Sequence, residues 1–329
     1  MLFRSRTHEL EFFRREVEPG LPDRVFDAHC HLLAPEQTEV RLPDGVVPPV
    51  NRDAYHRDLE QLHGSKTRGA LYIPFPGKRE GIAAANEWIG AAVSESAGSD
   101  RGLFLVTPED DPEWVRDEVS RLSLHGLKCY HVYAANKPTW NADVSEFLPE
   151  ALVRVADEER WVITLHLVKS RAVADPSNQQ WIRRTCERYP GMTLILAHNA
   201  RGFQPAHTLQ GLPALADLPN LWCDTSANCE SMATLAAIRA LGPERVMYGS
   251  DYWVSHMRGR SVAAGDSFLW LYEDTPVWGE KHTRIDPVLV GLEHLRSVEW
   301  ACWAGGLTPA EKAGVYHDNA ARLFGLNVA

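Results

Sequence analysis

Two histidines one residue apart, His29 and His31, close an apolar run at residues 25–29 (VFDAH). The pair alone is weak: with 14 histidines in 329 residues, chance supplies roughly 0.6 such pairs. Other apolar runs end in polar residues in the same way. Lys128 lies in the run at 126–130, and His166 ends the run at 161–166. His198 ends 193–198, Asp224 ends 220–224 and Asp251 ends 245–251. Side chains alternate faces along a strand, so His29 and His31 can point inward together while Cys30 packs outward. A single histidine at a strand end is more often a hydrogen-bonded core residue than a ligand. Four histidines and an aspartate at equivalent ends are different, because burying so many ionisable groups without partners is costly. One divalent ion would satisfy them together. Neutral imidazole with carboxylate suits Zn²⁺ first, with Mn²⁺ as the second choice.

The elements that must position these residues alternate regularly. Apolar runs at 25–29, 70–75, 102–106, 126–130, 161–166, 193–198, 220–224 and 245–251 are each followed by a helical stretch. Those stretches are 51–63, 82–96, 112–122, 144–159, 176–189, 207–216, 230–241 and 287–303, with a last helix over 309–324. Buried parallel strands read as short, nearly continuous apolar runs. Strands alternating with helices indicate βαβ units. Eight units predict an α/β chain folded as a (β/α)8 TIM barrel, one domain over residues 1–329. An open doubly wound sheet is the alternative, but the first turn, HCHLLAP, has no Gly-rich phosphate loop. In a barrel all the carboxyl ends share one face, where active sites sit.

Two segments lie outside that pattern. Residues 1–23 read as an N-terminal helical extension, with Leu10, Phe13 and Val17 at helical spacing for docking. Residues 252–285 read as an insertion after strand eight, carrying Trp253, His256, Trp270, Tyr272, Trp278 and His282. Its length and aromatic content suit an active-site lid or a subunit contact, the latter in a homodimer.

Composition narrows the partners. Lys plus Arg is 34 and Asp plus Glu is 44, a formal charge of −10. That balance argues against sequence-independent nucleic-acid binding. It leaves room for an anionic small-molecule substrate, which needs only local positive charge. No apolar run approaches the roughly 18–20 residues of a membrane span. The start has no apolar core and carries Glu9, Glu11, Glu16 and Glu18, so neither a secretory signal nor a transit peptide is expected. The six cysteines include no C-x-x-C pair. They read as reduced, buried thiols in a cytoplasmic protein.

FDAHCHL, ITLHLV, LILAHNARG, MYGSDYW and the closing YHDNAARLFGL together resemble the amidohydrolase superfamily. The likeness runs from about residue 24 to the end. It is nearest to the amidohydrolase-related branch that holds aminocarboxymuconate semialdehyde decarboxylase, resorcylate-type decarboxylases and several lactonases. The resemblance implies that His29, His31, His166 and Asp251 are metal ligands. It implies that Asp251 also shuttles a proton, and that His198 polarises substrate or positions water. Lys128 stands near the place of a metal-bridging carboxylated lysine in binuclear relatives. With one metal, it contacts substrate instead.

Other basic residues near the same face are Lys169, Arg201, Arg258 and Arg260. Arg201, three residues past His198, is the one expected to bind a substrate acid group. Asn199, Ala200 and Arg201 replace the small glycines common in the family after the sixth-strand histidine. A bound divalent ion lowers the pKa of water to about 7, so hydroxide is available at neutral pH. The leading expectation is a metal-dependent hydrolase of a small carboxylate-bearing ester, lactone or amide. The alternative is non-oxidative decarboxylation of a small unsaturated or aromatic acid.

Overall fold

The computed structural model describes residues 5–37, 41–42, 45–46, 49–279 and 286–326. Eight parallel strand positions follow in chain order. They are β1 (Val25–Leu32), β2 (Thr67–Pro74), and β3 in two pieces (Arg101–Gly102 and Phe104–Leu105). Then come β4 (Gly126–Cys129), β5 (Val162–Leu165), β6 (Thr193–Leu196), β7 (Leu221–Asp224) and β8 (Val246–Met247). β1, β2 and the first piece of β3 form one sheet, and the second piece of β3 through β8 form another. Backbone hydrogen bonds join the two sheets at both seams. Ala28 N donates to Tyr248 O at 2.9 Å, and Asp251 N donates to His29 O at 2.7 Å. At the other seam His125 N donates to Gly102 O at 2.8 Å.

Helices sit between these strands, and their starts are written in the sequence. After the N-terminal α1 (Thr7–Phe12) come α2 (Arg52–His63), α3 (Ile82–Glu95) and α4 (Pro112–Arg121). They are followed by α5 (Glu150–Glu158), α6 (Pro176–Arg188), α7 (Pro205–Gly211), α8 (Ser231–Leu241) and α9 (Val290–Gly305). Asp111 and Asp175 cap α4 and α6, each with proline at the first helical position. That pairing satisfies orphan N–H groups where proline has none to offer. The last helix expected at 309–324 runs from Pro309 to Leu323, with a wider, π-helical stretch at Gly314–Asp318 between α10 (Pro309–Ala313) and α11 (Asn319–Leu323).

The register of β1 is the detail that matters most for function. Phe26 pairs with Gly69 and Asp27 with Ala70, and then Cys30 pairs with Tyr72 and His31 with Ile73. Ala28 and His29 therefore share the single partner position of Leu71, a β-bulge. Before the bulge, Phe26 and Ala28 join the inner apolar cluster with Leu71, Ile73, Ile195, Trp222 and Met247. After it, the phase is reversed, and His29 and His31 face the same interior. Gly249 makes room for this: a Cβ there would lie 2.7 Å from His29 Cβ.

The N-terminal segment does dock, with Val17 buried and Phe13 packed against the core as expected and Leu10 left outside. α1 widens into the turn Phe13–Val17, which changes the phase. Phe12 and Val17 are buried, whereas Leu10 is 42% exposed. Buried Glu9 binds Arg258 through both carboxylate oxygens, at 2.7 and 3.0 Å. The insertion forms an antiparallel hairpin, β9 (Gly259–Ala264) with β10 (Ser267–Tyr272). His256 is buried against the Asp58 carbonyl at 2.9 Å, and His282 lies outside the described residues. No helix among the described residues is long and apolar enough to cross a membrane.

Candidate active site

The reversed end of β1 delivers His29 and His31, and the turn after β8 delivers Asp251. Asp251 has a φ of 57°, a left-handed conformation that costs free energy in an L-residue and persists only when its surroundings hold it. His31 Nε2 lies 3.1 Å from Asp251 Oδ1, and His29 Nε2 lies 3.7 Å from the same oxygen. One ligand atom from each of His29, His31 and Asp251 falls within 4.8 Å of the others.

Each imidazole has its second nitrogen engaged. His29 Nδ1 is 2.8 Å from Asp224 Oδ2, at the end of β7. His31 Nδ1 is 3.0 Å from the carbonyl of Ile73 on β2. His198 Nδ1 is 2.9 Å from the carbonyl of Ser226. With an ion bound, Nδ1–H donating to these oxygens would leave Nε2 its lone pair, the tautomer a metal ligand needs. Asp224 ends an apolar run just as the histidines do, and that position was its only signal in the sequence. The contact that gives it work, with a residue on β1, is a product of tertiary structure.

His198 stands in an unusual piece of backbone. β6 ends at Leu196, and His198, Asn199, Ala200 and Arg201 all have φ between 54° and 60°. Four consecutive left-handed L-residues are costly, and several bonds hold them. His198 N donates to Asp224 Oδ1 at 3.0 Å, and Gly202 N donates to His198 O at 2.7 Å. Thr208 Oγ1 donates to Asn199 O at 2.8 Å, and Asn199 Nδ2 donates to Thr234 Oγ1 at 2.9 Å. The turn sets the His198 ring 5.1 Å from that of His29 and 5.1 Å from that of His166.

Charges reinforce the arrangement. Burial works against ionised Asp251, but the His31 hydrogen bond and the charges of His198, His29 and His31 outweigh it and hold the carboxyl below its ordinary range. Asp224 is likewise held down against burial, by the charge and hydrogen bond of His29. Burial lowers His29 to about 4 despite Asp224. It lowers His166 as well, with His198 and Lys128 adding to the effect.

The neighbouring wall is unlike the centre. Lys128 on β4 is the register partner of Thr164 on β5, and His166 follows two residues later on the same face. Lys128 Nζ, Thr164 Oγ1 and His166 Nδ1 are all buried without a hydrogen-bond partner among the described residues. Burial brings Lys128 down to about 8, opposed by Asp224, Cys129 and Asp251.

Of the basic residues singled out in the sequence, three are committed elsewhere. Lys169 pairs with Asp143 at 2.6 Å, Arg258 with Glu9 at 2.7 Å and Arg260 with Glu293 at 3.5 Å. Arg201 donates to the Lys169 carbonyl at 2.7 Å and sits at the rim of the site.

A group with two imidazole nitrogens and a carboxylate oxygen converging, and an orphaned third imidazole alongside, fits a divalent ion. The arrangement is also one that a sequence family can be tested against. The sequence pattern of the amidohydrolases matches residues 26–326. The chain belongs to that family.

None of the curated proteins matches this amidohydrolase. Solved structures share its fold. One is an amidohydrolase from Burkholderia multivorans, with a TM-score of 0.62 and 16% identity over 92% of this chain and 99% of that one. That protein has also been solved with bound zinc. A protein from Pseudomonas putida assigned as a 2-pyrone-4,6-dicarboxylic acid hydrolase gives 0.59 and 18%, over 94% and 100% of the two chains. A 2,6-dihydroxybenzoate decarboxylase from Rhizobium gives 0.57 and 13%, over 93% and 100%. At these identities the likeness establishes fold, and hydrolase and decarboxylase stand side by side on it.

Proposed function

We propose that this amidohydrolase is a closed (β/α)8-barrel enzyme, dependent on one divalent ion, that hydrolyses a small carboxylate-bearing ester, lactone or amide. The convergence of His29 Nε2 and His31 Nε2 on Asp251 Oδ1, with the Nδ1 atoms of both rings engaged elsewhere, carries this reading. His29, His31, Asp251 and the unpartnered His166 would hold the ion, Zn²⁺ first and Mn²⁺ second. Bound there, the ion polarises a carbonyl and acidifies water.

The rest falls to the chain itself. Asp251, ionised at neutral pH, accepts a proton from the attacking water as the new C–O bond forms. It returns that proton to the departing oxygen or nitrogen as the scissile bond breaks, so protons balance over the cycle. His198, with Nδ1–H turned to Ser226, offers Nε2 to the reacting groups. There it accepts a hydrogen bond from the attacking water and so positions it. Lys128 and Arg201 supply positive charge for an anionic substrate. The six cysteines are all free and buried, which supports a reducing, cytoplasmic setting.

Decarboxylation is the second reading, because Asp251 and His198 can deliver a proton to carbon as readily as to a leaving oxygen. Elemental mass spectrometry of protein purified without chelator, then a screen of lactones, esters and aromatic acids with CO₂ trapping, tests both. About one ion per chain and acid release without CO₂ supports hydrolysis, and CO₂ release moves the assignment to a lyase. Protein that neither carries nor takes up an ion sinks both readings.

A further inference from the structure

The rim of the site contains a charged group built into an aromatic frame. The Arg201 guanidinium carbon lies 5.2 Å from the Trp140 ring centroid and 5.5 Å from that of Phe268. Phe268 belongs to β10 of the hairpin, and it packs 4.7 Å from Phe203, whose ring is 5.3 Å from His198. The Trp140 ring lies 4.3 Å from that of His131, tilted by 41°, and His131 lies 6.1 Å from His166. Aromatic and imidazole rings therefore run from the reacting centre to Arg201 along two sides.

Arg201 has charge to offer. Burial lowers its pKa and no acid is among the causes acting on it. Its one bond, to the Lys169 carbonyl, uses Nη1, leaving further N–H donors. A guanidinium against aromatic faces is approached best along its edge, the geometry of a two-pronged carboxylate contact.

We propose that Arg201 seats a carboxylate of a flat substrate, and that Trp140 and Phe268 are specificity-determining residues that hold the guanidinium in place for it. The hairpin inserted after β8 thereby takes part in choosing the substrate through Phe268. The inference rests on the proposed reaction centre at Asp251, but it can be read without turnover.

Calorimetric titration of the purified holoenzyme with benzoate and with benzamide, flat probes of similar size and different charge, is the test. Benzoate is expected to bind about 10-fold tighter, the scale of one charge-assisted bidentate contact. Arg201→Gln should abolish that preference, and Arg201→Lys, which keeps the charge and loses the fork, should keep part of it. Phe268→Ala and Trp140→Ala should each cut the preference about threefold with metal content unchanged, on the lower scale of a cation–π contact. Equal binding of the two probes, or a preference that survives Arg201→Gln, overturns the proposal. A preference that behaves as expected in a protein with no hydrolase or decarboxylase activity would retain the carboxylate seat and refute the assigned reaction.

Discussion

The centre and the wall beside it are built to opposite rules. Around Asp251, the Nδ1 atoms of His29, His31 and His198 all have a partner. On β4 and β5, Lys128 Nζ, Thr164 Oγ1 and His166 Nδ1 have none among the described residues. The first region has its geometry fixed before anything binds, which is what proton transfer over short distances demands. The second carries buried polar groups at a cost. That cost is offset only when an ion, substrate or water supplies the missing bonds.

Breaking the centre should have the largest effects. Asp251→Asn removes the proton acceptor and should lower turnover by about 10²–10⁴-fold, read in steady-state kinetics at saturating metal. A variant that keeps wild-type rates would take Asp251 out of the chemistry. Asp224→Asn leaves β7 in place but releases His29 Nδ1. It should weaken metal affinity by about 10–100-fold, measured by competition with a chromophoric chelator. Unchanged affinity would show that the ring is fixed by packing alone.

Changes in the wall should instead raise stability. Lys128→Met exchanges a buried ammonium, without a hydrogen bond and held only over the Tyr130 ring at 4.9 Å, for an apolar chain of similar length. It should stabilise the fold by about 1–3 kcal/mol at pH 7, seen as a higher Tm. The sign follows from the depressed pKa of about 8. Between about 8 and the unfolded value near 10.4 the unfolded chain holds more protons, so wild-type stability rises with pH. The advantage of Lys128→Met should therefore shrink across that window, and a constant advantage would mean the lysine is already neutral. Thr164→Val is the smallest change. Removing an unpartnered hydroxyl at nearly constant volume should leave stability unaltered or raise it by about 1 kcal/mol. A clear loss of stability would reveal a partner for that oxygen in the loaded protein.

The site residues were legible because parallel strands bring their carboxyl ends to one side. His29 and His31 on one apolar run, and His198 and Asp251 at the ends of two others, do meet. The sequence could not show how β1 serves two purposes. Phe26 and Ala28 have the spacing of inward residues, and so do His29 and His31, yet the two sets have opposite parity. Strict alternation allows only one of them inside. The bulge resolves the conflict, and it depends on Gly249 from the far end of the chain. Of the docking residues read at the N-terminus only Leu10 was misplaced: with the widened turn at Phe13–Val17, Val17 is buried as expected and Phe12 joins it, while Leu10 is left exposed. The job of Asp224 depends on a contact 195 residues away in sequence, which no local pattern encodes.

The left-handed run from His198 to Arg201 is short, strained and bonded at both ends, so it behaves as a lever rather than as a loop. One arm ends at the imidazole beside Asp251, and the other ends at the guanidinium on the rim. If a carboxylate is seated on Arg201 as proposed, only two residues of backbone separate it from His198. Recognition and proton transfer then cannot be tuned separately, and a substrate stripped of its acid group should lose kcat as well as affinity.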